Sequence, residues 1–119
     1  MPNEKLSVRV DSTTKFDSEV KRLRKKYPSI RADVAPLITA LENGDQPGDK
    51  VQGVGKDVYK VRLSNRDAAK GKRGGYRIIY YVKLGDLIVL LRIYAKSEQN
   101  DLSHEQIRRI IADYDSSTQ

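Results

Sequence analysis

DVYKVRLSNRDAAKGKRGGYRIIYYVKLGDLIVLLRIYAKSEQ, residues Asp57–Gln99, is the stretch that decides the fold. It holds three short apolar runs that read as strands, with cations on particular phases of them. Side chains alternate along a strand. In Val58–Ser64 this puts Tyr59, Val61 and Leu63 on one face and Lys60 with Arg62 on the other. In Tyr76–Val82 it puts Tyr76, Ile78, Tyr80 and Val82 opposite Arg77, Ile79 and Tyr81. In Leu87–Lys96 it puts Leu87, Leu91 and Ile93 opposite Arg92, Tyr94 and Lys96. Paired as consecutive hairpins, the three strands gather Lys60, Arg62, Arg77 and Lys96 into one cationic surface suited to phosphates.

The rest of the chain frames that surface. A length of 119 residues fits one domain spanning 1–119 and allows a modest core without cross-links. The chain has no cysteine, which removes disulfides and thiolate metal sites and points to the cytoplasm. No run approaches the ~18 apolar residues of a membrane span, and MPNEKLSVRVD lacks the apolar stretch of a signal peptide. A formal net charge of +7 favours anionic partners. A membrane surface is the weaker choice among them, because no basic amphipathic helix with a wide apolar face is present.

Reading outward, Lys5–Asp11 alternates with Leu6, Val8 and Val10 on one side and reads as a strand. Phe16, Val20, Leu23 and Tyr27 then recur at helical spacing, predicting a helix near Thr14–Lys26 that ends at Pro28. Its outer face carries Lys15, Lys21, Arg22, Arg24, Lys25 and Lys26, a charge run that reads first as a solvated face. Ser29 can cap a second helix with core positions Ile30, Val34, Leu37, Ile38 and Leu41, stopping at Asn43–Gly44. Pro36 either kinks it or opens a shorter helix capped by Asp33. Asp45–Lys56, rich in glycine, reads as a loop. Ser103 with Gln106 forms a capping box, and Leu102 with Ile107 a hydrophobic staple. They open a last helix with Ile107, Ile110, Ile111 and Tyr114 facing a core and a frayed tail at 115–119. The class is α+β with the order β-α-α-β-β-β-α.

Few chemistries fit these residues. The single histidine, His104, sits in the first turn of a helix, and no carboxylates cluster at ligand spacing, so metal and Ser-His-Asp chemistry are set aside. GKRGGYR lies between two strands and does not open a helix, unlike a phosphate-binding loop of the Walker type. Phosphodiester chemistry by cations remains. RNA brings its own nucleophile, the 2′-hydroxyl; an enzyme adds a base, positive charge for the phosphorane and an acid for the leaving oxygen. Crowded like charges would lower a lysine's pKa and make it a usable base, while arginine stays charged as a clamp. On pattern alone, this reading and an ordinary half-solvated sheet face stand level.

VYKVRL, KGKRGGYRIIYYV and IYAKSEQNDLS together resemble the RelE/ParE superfamily of toxins from type II toxin–antitoxin systems, most closely its HigB-like branch. The resemblance covers Lys50–Tyr114. It implies a small antiparallel sheet with two N-terminal helices and a C-terminal helix. It further implies a metal-independent, ribosome-dependent mRNA endoribonuclease (an mRNA interferase) that needs no cofactor. Its partners would be a cognate antitoxin, the ribosome and mRNA. By the same resemblance the basic strand pair falls on Lys60 and Arg62 and the GYR arginine on Arg77. The last basic residue falls on Lys96, or on Ser97 where better-known members have arginine. Lys60 is then the candidate base, Arg62, Arg77 and Lys96 bind the scissile phosphate, and Tyr94 could stack on a base. Lys70, Lys72, Arg73, Tyr81 and Arg92 are further RNA-binding candidates. The family's C-terminal tyrosine falls near Ser103 and is absent; Tyr94, Tyr81 or Glu98 could replace it.

Two other functions fit the same residues. One is a ParE-like inhibitor of a topoisomerase, against which the retained Lys60, Arg62 and Arg77 speak. The other is an RNA- or ribosome-binding module without turnover.

Overall fold

A computed structural model describes residues 7–68 and 75–117. Eight elements follow one another: β1 (Arg9–Ser12), α1 (Thr14–Arg24), α2 (Ile30–Glu42), β2 (Asp49–Lys50), β3 (Val58–Leu63), β4 (Tyr76–Leu84), β5 (Leu87–Ala95) and α3 (His104–Ser117). The strands form one sheet in the order β1-β5-β4-β3-β2. β2, β3, β4 and β5 pair antiparallel, whereas β1 runs parallel to β5, so the α+β sheet is mixed. Two helices and three strands separate β1 from β5 along the chain, so this pairing is a long-range contact. The two-residue β2 lies inside the segment read as loop. Its shortness leaves no alternation to detect.

Both faces of the sheet are covered. α1 presents Phe16, Val20 and Leu23 and α2 presents Ile30, Val34, Leu37 and Leu41, at spacings of three and four that keep one stripe inward. They pack on Val61, Tyr76, Ile78, Tyr80, Ile88, Leu90, Ile93 and Ala95. α3 covers part of the opposite face, setting Ile107 and Ile111 against Val54, Val58, Tyr81, Val89 and Leu91. Among the described residues no helix is long and apolar enough to cross a membrane.

Local details depart from expectation in instructive ways. Thr13 caps α1 by accepting from the Phe16 N–H at 2.9 Å, but the Ser29 side chain makes no such bond for α2. Its backbone N–H donates instead to Asp67 at 2.6 Å. Pro36 lies within α2 on the exposed side and costs it only the bond its own nitrogen would have made. Asp33 caps nothing; it holds Arg66 at 2.6 Å. The capping box forms as read, with Ser103 N–H on Gln106 at 2.8 Å and Gln106 N–H on Ser103 at 3.1 Å. The helix continues past Tyr114 to Ser117.

The main correction concerns β5. Ile79 pairs with Arg92 and Tyr80 with Leu90, which leaves Leu91 as an extra residue, a β-bulge. Strict alternation therefore fails at this point. Ile93 joins Ile88, Leu90 and Ala95 beneath the helix pair, while Leu87 and Leu91 share the α3 face with Tyr94.

β1 ends at Ser12, and beyond it the edge of β5 has no strand partner. Thr13 extends the pairing, its N–H donating to the Leu90 carbonyl at 3.0 Å and its hydroxyl to the Leu91 carbonyl at 2.9 Å. Glu19 of α1 then accepts the Ile93 N–H at 3.0 Å and Arg92 Nε at 2.7 Å. A buried pair adds little net stability, but deleting one partner strands the other without water. Glu19→Ala should therefore lower unfolding stability by about 3–5 kcal/mol, read from urea midpoints. Replacing both Glu19 and Arg92 by apolar residues should cost less than the single change.

Candidate active site

The register of the three long strands sets the site. Arg62 on β3 lies opposite Arg77 on β4, and Arg77 lies opposite Tyr94 on β5. Lys60, two residues before Arg62, faces the same way, across from Ile79. Lys96 follows β5 and is held by its backbone N–H on the Gly75 carbonyl at 3.0 Å. Gly75 sits at φ 64°, and a side chain there would collide with the Leu63 carbonyl, so this corner needs glycine. Arg62 is exposed and Lys60 and Lys96 are partly exposed, whereas Arg77 is largely buried.

Between them lies an anion that strand alternation does not foretell. The carboxylate of Asp101 accepts from Lys60 Nζ at 3.2 Å, from Lys96 Nζ at 3.5 Å and from the Tyr94 hydroxyl at 3.0 Å. Its side chain is 45% exposed and those of Lys60 and Lys96 are 36% and 35% exposed, so the cluster is open to solvent. Partial burial of Asp101 by itself disfavours its charge. The hydrogen bonds from Lys60 and Tyr94, with the charges of Lys60 and Lys96, outweigh that and hold the carboxyl below its usual range. The Tyr94 hydroxyl is pushed up to about 12, first by burial and then by its bond to Asp101, with Arg77 pulling the other way. At neutral pH it is a neutral donor.

These contacts reassign several residues. Lys60, Arg62, Arg77, Tyr94 and Lys96 do come together, with Arg77 largely buried beneath the surface at 7% exposure. Lys60 meets Asp101 as a donor, and the carboxylate relieves the crowding of like charge on which a lysine base would depend. The Tyr94 ring is 1% exposed, so stacking on an RNA base is closed to it. Tyr81 is buried under α3. Arg92 turns its guanidinium to Glu19 and serves the sheet edge. Glu98 is bound to Arg22 at 3.5 Å and Lys26 at 3.4 Å on α1, away from the cluster. Ser103, at the position of the absent tyrosine, is a helix cap. His104 is exposed and lies beside Gly53. Lys70, Lys72 and Arg73 lie outside the described residues.

Asp101 is the residue the sequence reading missed. It stands in the quoted IYAKSEQNDLS run, but in a loop, where no period of two or 3.6 assigns a direction to a side chain. The signal available was electrostatic: four cations converging on one surface call for a counter-charge nearby.

The chain is thus an α+β protein with a mixed five-stranded sheet, helices on both faces and a cluster of cations around one carboxylate. A model of the RelE toxin of the RelE/RelB toxin–antitoxin system matches residues 18–115. The chain belongs to this family; it is the toxin of a toxin–antitoxin pair and so has a cognate antitoxin as partner.

The role of Tyr94 can be separated into ring and hydroxyl. Tyr94→Phe should keep the fold, costing about 1 kcal/mol for the lost hydrogen bond, whereas Tyr94→Ala should cost about 3–5 kcal/mol by opening a cavity under the cluster. Denaturant midpoints of the two variants measure the difference. Near-equal losses would mean that the ring packs no better than a surface group.

Proposed function

We propose that this toxin is a ribosome-dependent mRNA endoribonuclease of the HigB-like kind, acting in the cytoplasm without a metal or cofactor. The observation that carries the reading is the convergence of Lys60, Arg62 and Lys96, exposed or partly exposed, over a largely buried Arg77 on one sheet face. A cleaving phosphodiester gains negative charge on its equatorial oxygens, and fixed cations aimed at that place stabilise the transition state more than the ground state. Arg62 suits the clamp because guanidinium stays charged and presents a planar set of donors, and the buried Arg77 adds its charge from beneath. Lys60 and Lys96 add ammonium donors beside it. Among the described residues the exposed cations of α1 stand apart from this cluster and lend net charge for approach to the ribosome.

Expression of the free chain should stop growth, with pulse-labelled protein synthesis falling before DNA synthesis and new mRNA ends appearing on translated messages. Failure of replication or supercoiling first would mark a topoisomerase inhibitor instead. Cleavage in a purified translation system should survive a chelator selective for transition metals, with Mg²⁺ held at the level ribosomes need. Arg77→Ala should slow it about 10²–10³-fold, with a smaller loss in ribosome binding, while Lys25→Ala on α1 should change the cleavage step little. Equal, small effects from both substitutions would reduce the sheet face to a generic charged surface.

A further inference from the structure

The site has many proton donors and needs one acceptor. Lys60, Arg62, Arg77 and Lys96 present donors only, and arginine does not deprotonate in proteins. Tyr94 directs its hydroxyl proton to Asp101. Attack by a 2′-hydroxyl requires a group that takes a proton away. The carboxylate set among these donors has capacity left. A carboxylate offers about four lone-pair positions. Here Oδ1 accepts from Tyr94 and Lys96, whereas Oδ2 accepts from Lys60. Oδ2 thus keeps a position open, on a side chain 45% exposed.

Building on the ribonuclease reading above, we infer that Asp101 is the general base, with Oδ2 accepting the proton of the attacking 2′-hydroxyl. The 2′-oxygen–hydrogen bond breaks toward Asp101 and the 2′-oxygen–phosphorus bond forms. The phosphorus–5′-oxygen bond breaks, and the leaving oxygen takes a proton from Lys96. Lys96 binds the other oxygen of the carboxylate, Oδ1, and is the nearest ammonium donor to it besides Lys60. The products are a 2′,3′-cyclic phosphate and a 5′-hydroxyl. Proton exchange between the Asp101 carboxylic acid and the neutral Lys96 amine, which are hydrogen-bonded already, restores both groups. Tyr94 is a positioning residue: its hydroxyl fixes Oδ1 and thereby aims Oδ2 outward. The groups facing Asp101 from the packed elements are Lys60 of β3, Tyr94 of β5 and Lys96 after it, with Arg77 of β4 acting on Tyr94.

The sign of the pH dependence follows. A carboxyl held below its usual range is ionised throughout neutral pH, and its base function is lost only as pH falls below the ordinary carboxylate range. The test is single-turnover cleavage of a short mRNA on programmed ribosomes between pH 5.5 and 8.5. It uses the wild type, D101N and D101E, with binding measured in parallel and folding checked by circular dichroism. The wild-type rate should be nearly level across that range. D101N should cleave about 10²–10⁴-fold more slowly while binding the ribosome and mRNA at least as well, since one negative charge has left the site. D101E should recover part of the rate. A message with a 2′-deoxy nucleotide at the cut position should not be cleaved.

Wild-type speed in D101N, or a rate rising tenfold per pH unit through neutrality as for a neutral lysine base, would overturn the assignment and leave the ribonuclease reading standing. Loss of binding equal to the loss of rate in both variants would also overturn it, showing Asp101 to be structural. No cleavage by the wild type under any of these conditions would overturn the ribonuclease reading itself, and the assignment with it.

Discussion

The pairing of β4 with β5, and the bulge at Leu91 within it, is the constraint on which the two cores and the site all depend. Had β5 kept a strict alternation, Leu90 and Ile93 could not both pack beneath the helix pair, nor could Leu91 and Tyr94 share the α3 face. The extra residue at Leu91 lets an apolar strand serve two cores in succession. It also turns Tyr94 to the face that carries Arg77, directly across the ladder from it. Bulges commonly occur beside functional sites because they re-aim side chains without ending the sheet. The edge contacts of Thr13 and Glu19 continue the same logic. Once β1 has ended, they occupy the β5 backbone groups that would otherwise face the interior of the α1 packing unpaired.

The sheet face is divided by α3. At one end, Ile107 and Ile111 bury Val58, Tyr81, Val89 and Leu91, and stability comes from apolar area removed from water. At the other end the same strands carry Lys60, Arg62 and Arg77 in place of apolar residues, with Arg62 exposed, Lys60 partly so and Arg77 buried. The loop from Lys96 to Ser103 joins the two regimes. Leu102 packs on the α3 core, Ser103 caps the helix, and Asp101 one residue earlier reaches the cations. The helix start thus anchors the carboxylate, and a residue change at the cap would be felt at the site through two peptide units.

Much of this was legible in the residues. Period-two runs placed β3, β4 and β5, spacings of three and four placed the helices, and the capping box placed the start of α3 to the residue. Lys60, Arg62, Arg77 and Lys96 were brought to one place by alternation alone. What the pattern could not convey was anything that breaks a period or lacks one. The bulge inverted the facing of Ile93, the two-residue β2 was too short to alternate, and the parallel docking of β1 depends on long-range packing. Tyr94 and Arg92 had the right phase but the wrong exposure, because phase names a face and says nothing of what covers it. Glu98 and Asp101 lie three residues apart in one loop, yet one reaches α1 and the other the cations. Only the folded path separates them.

The charge balance of the site explains why an anion at its centre is compatible with binding another. Two unit charges 4 Å apart interact by about 4 kcal/mol at an effective dielectric of ~20, the regime of partly exposed pairs. An Asp101 carboxylate near an incoming phosphate therefore opposes it by an amount of that order, lessened here by solvent on a half-exposed side chain. Lys60 and Lys96 sit within 3.5 Å of that carboxylate and cancel its field at close range, while the exposed Arg62 adds positive charge on the same face. A phosphate arriving there meets a surplus of cations. Asp101 draws Lys60 and Lys96 around one point, so that on the ribonuclease reading both would be oriented before a substrate arrives. Such ordering ahead of the substrate is what makes fixed charge more effective in catalysis than the same charge on mobile side chains.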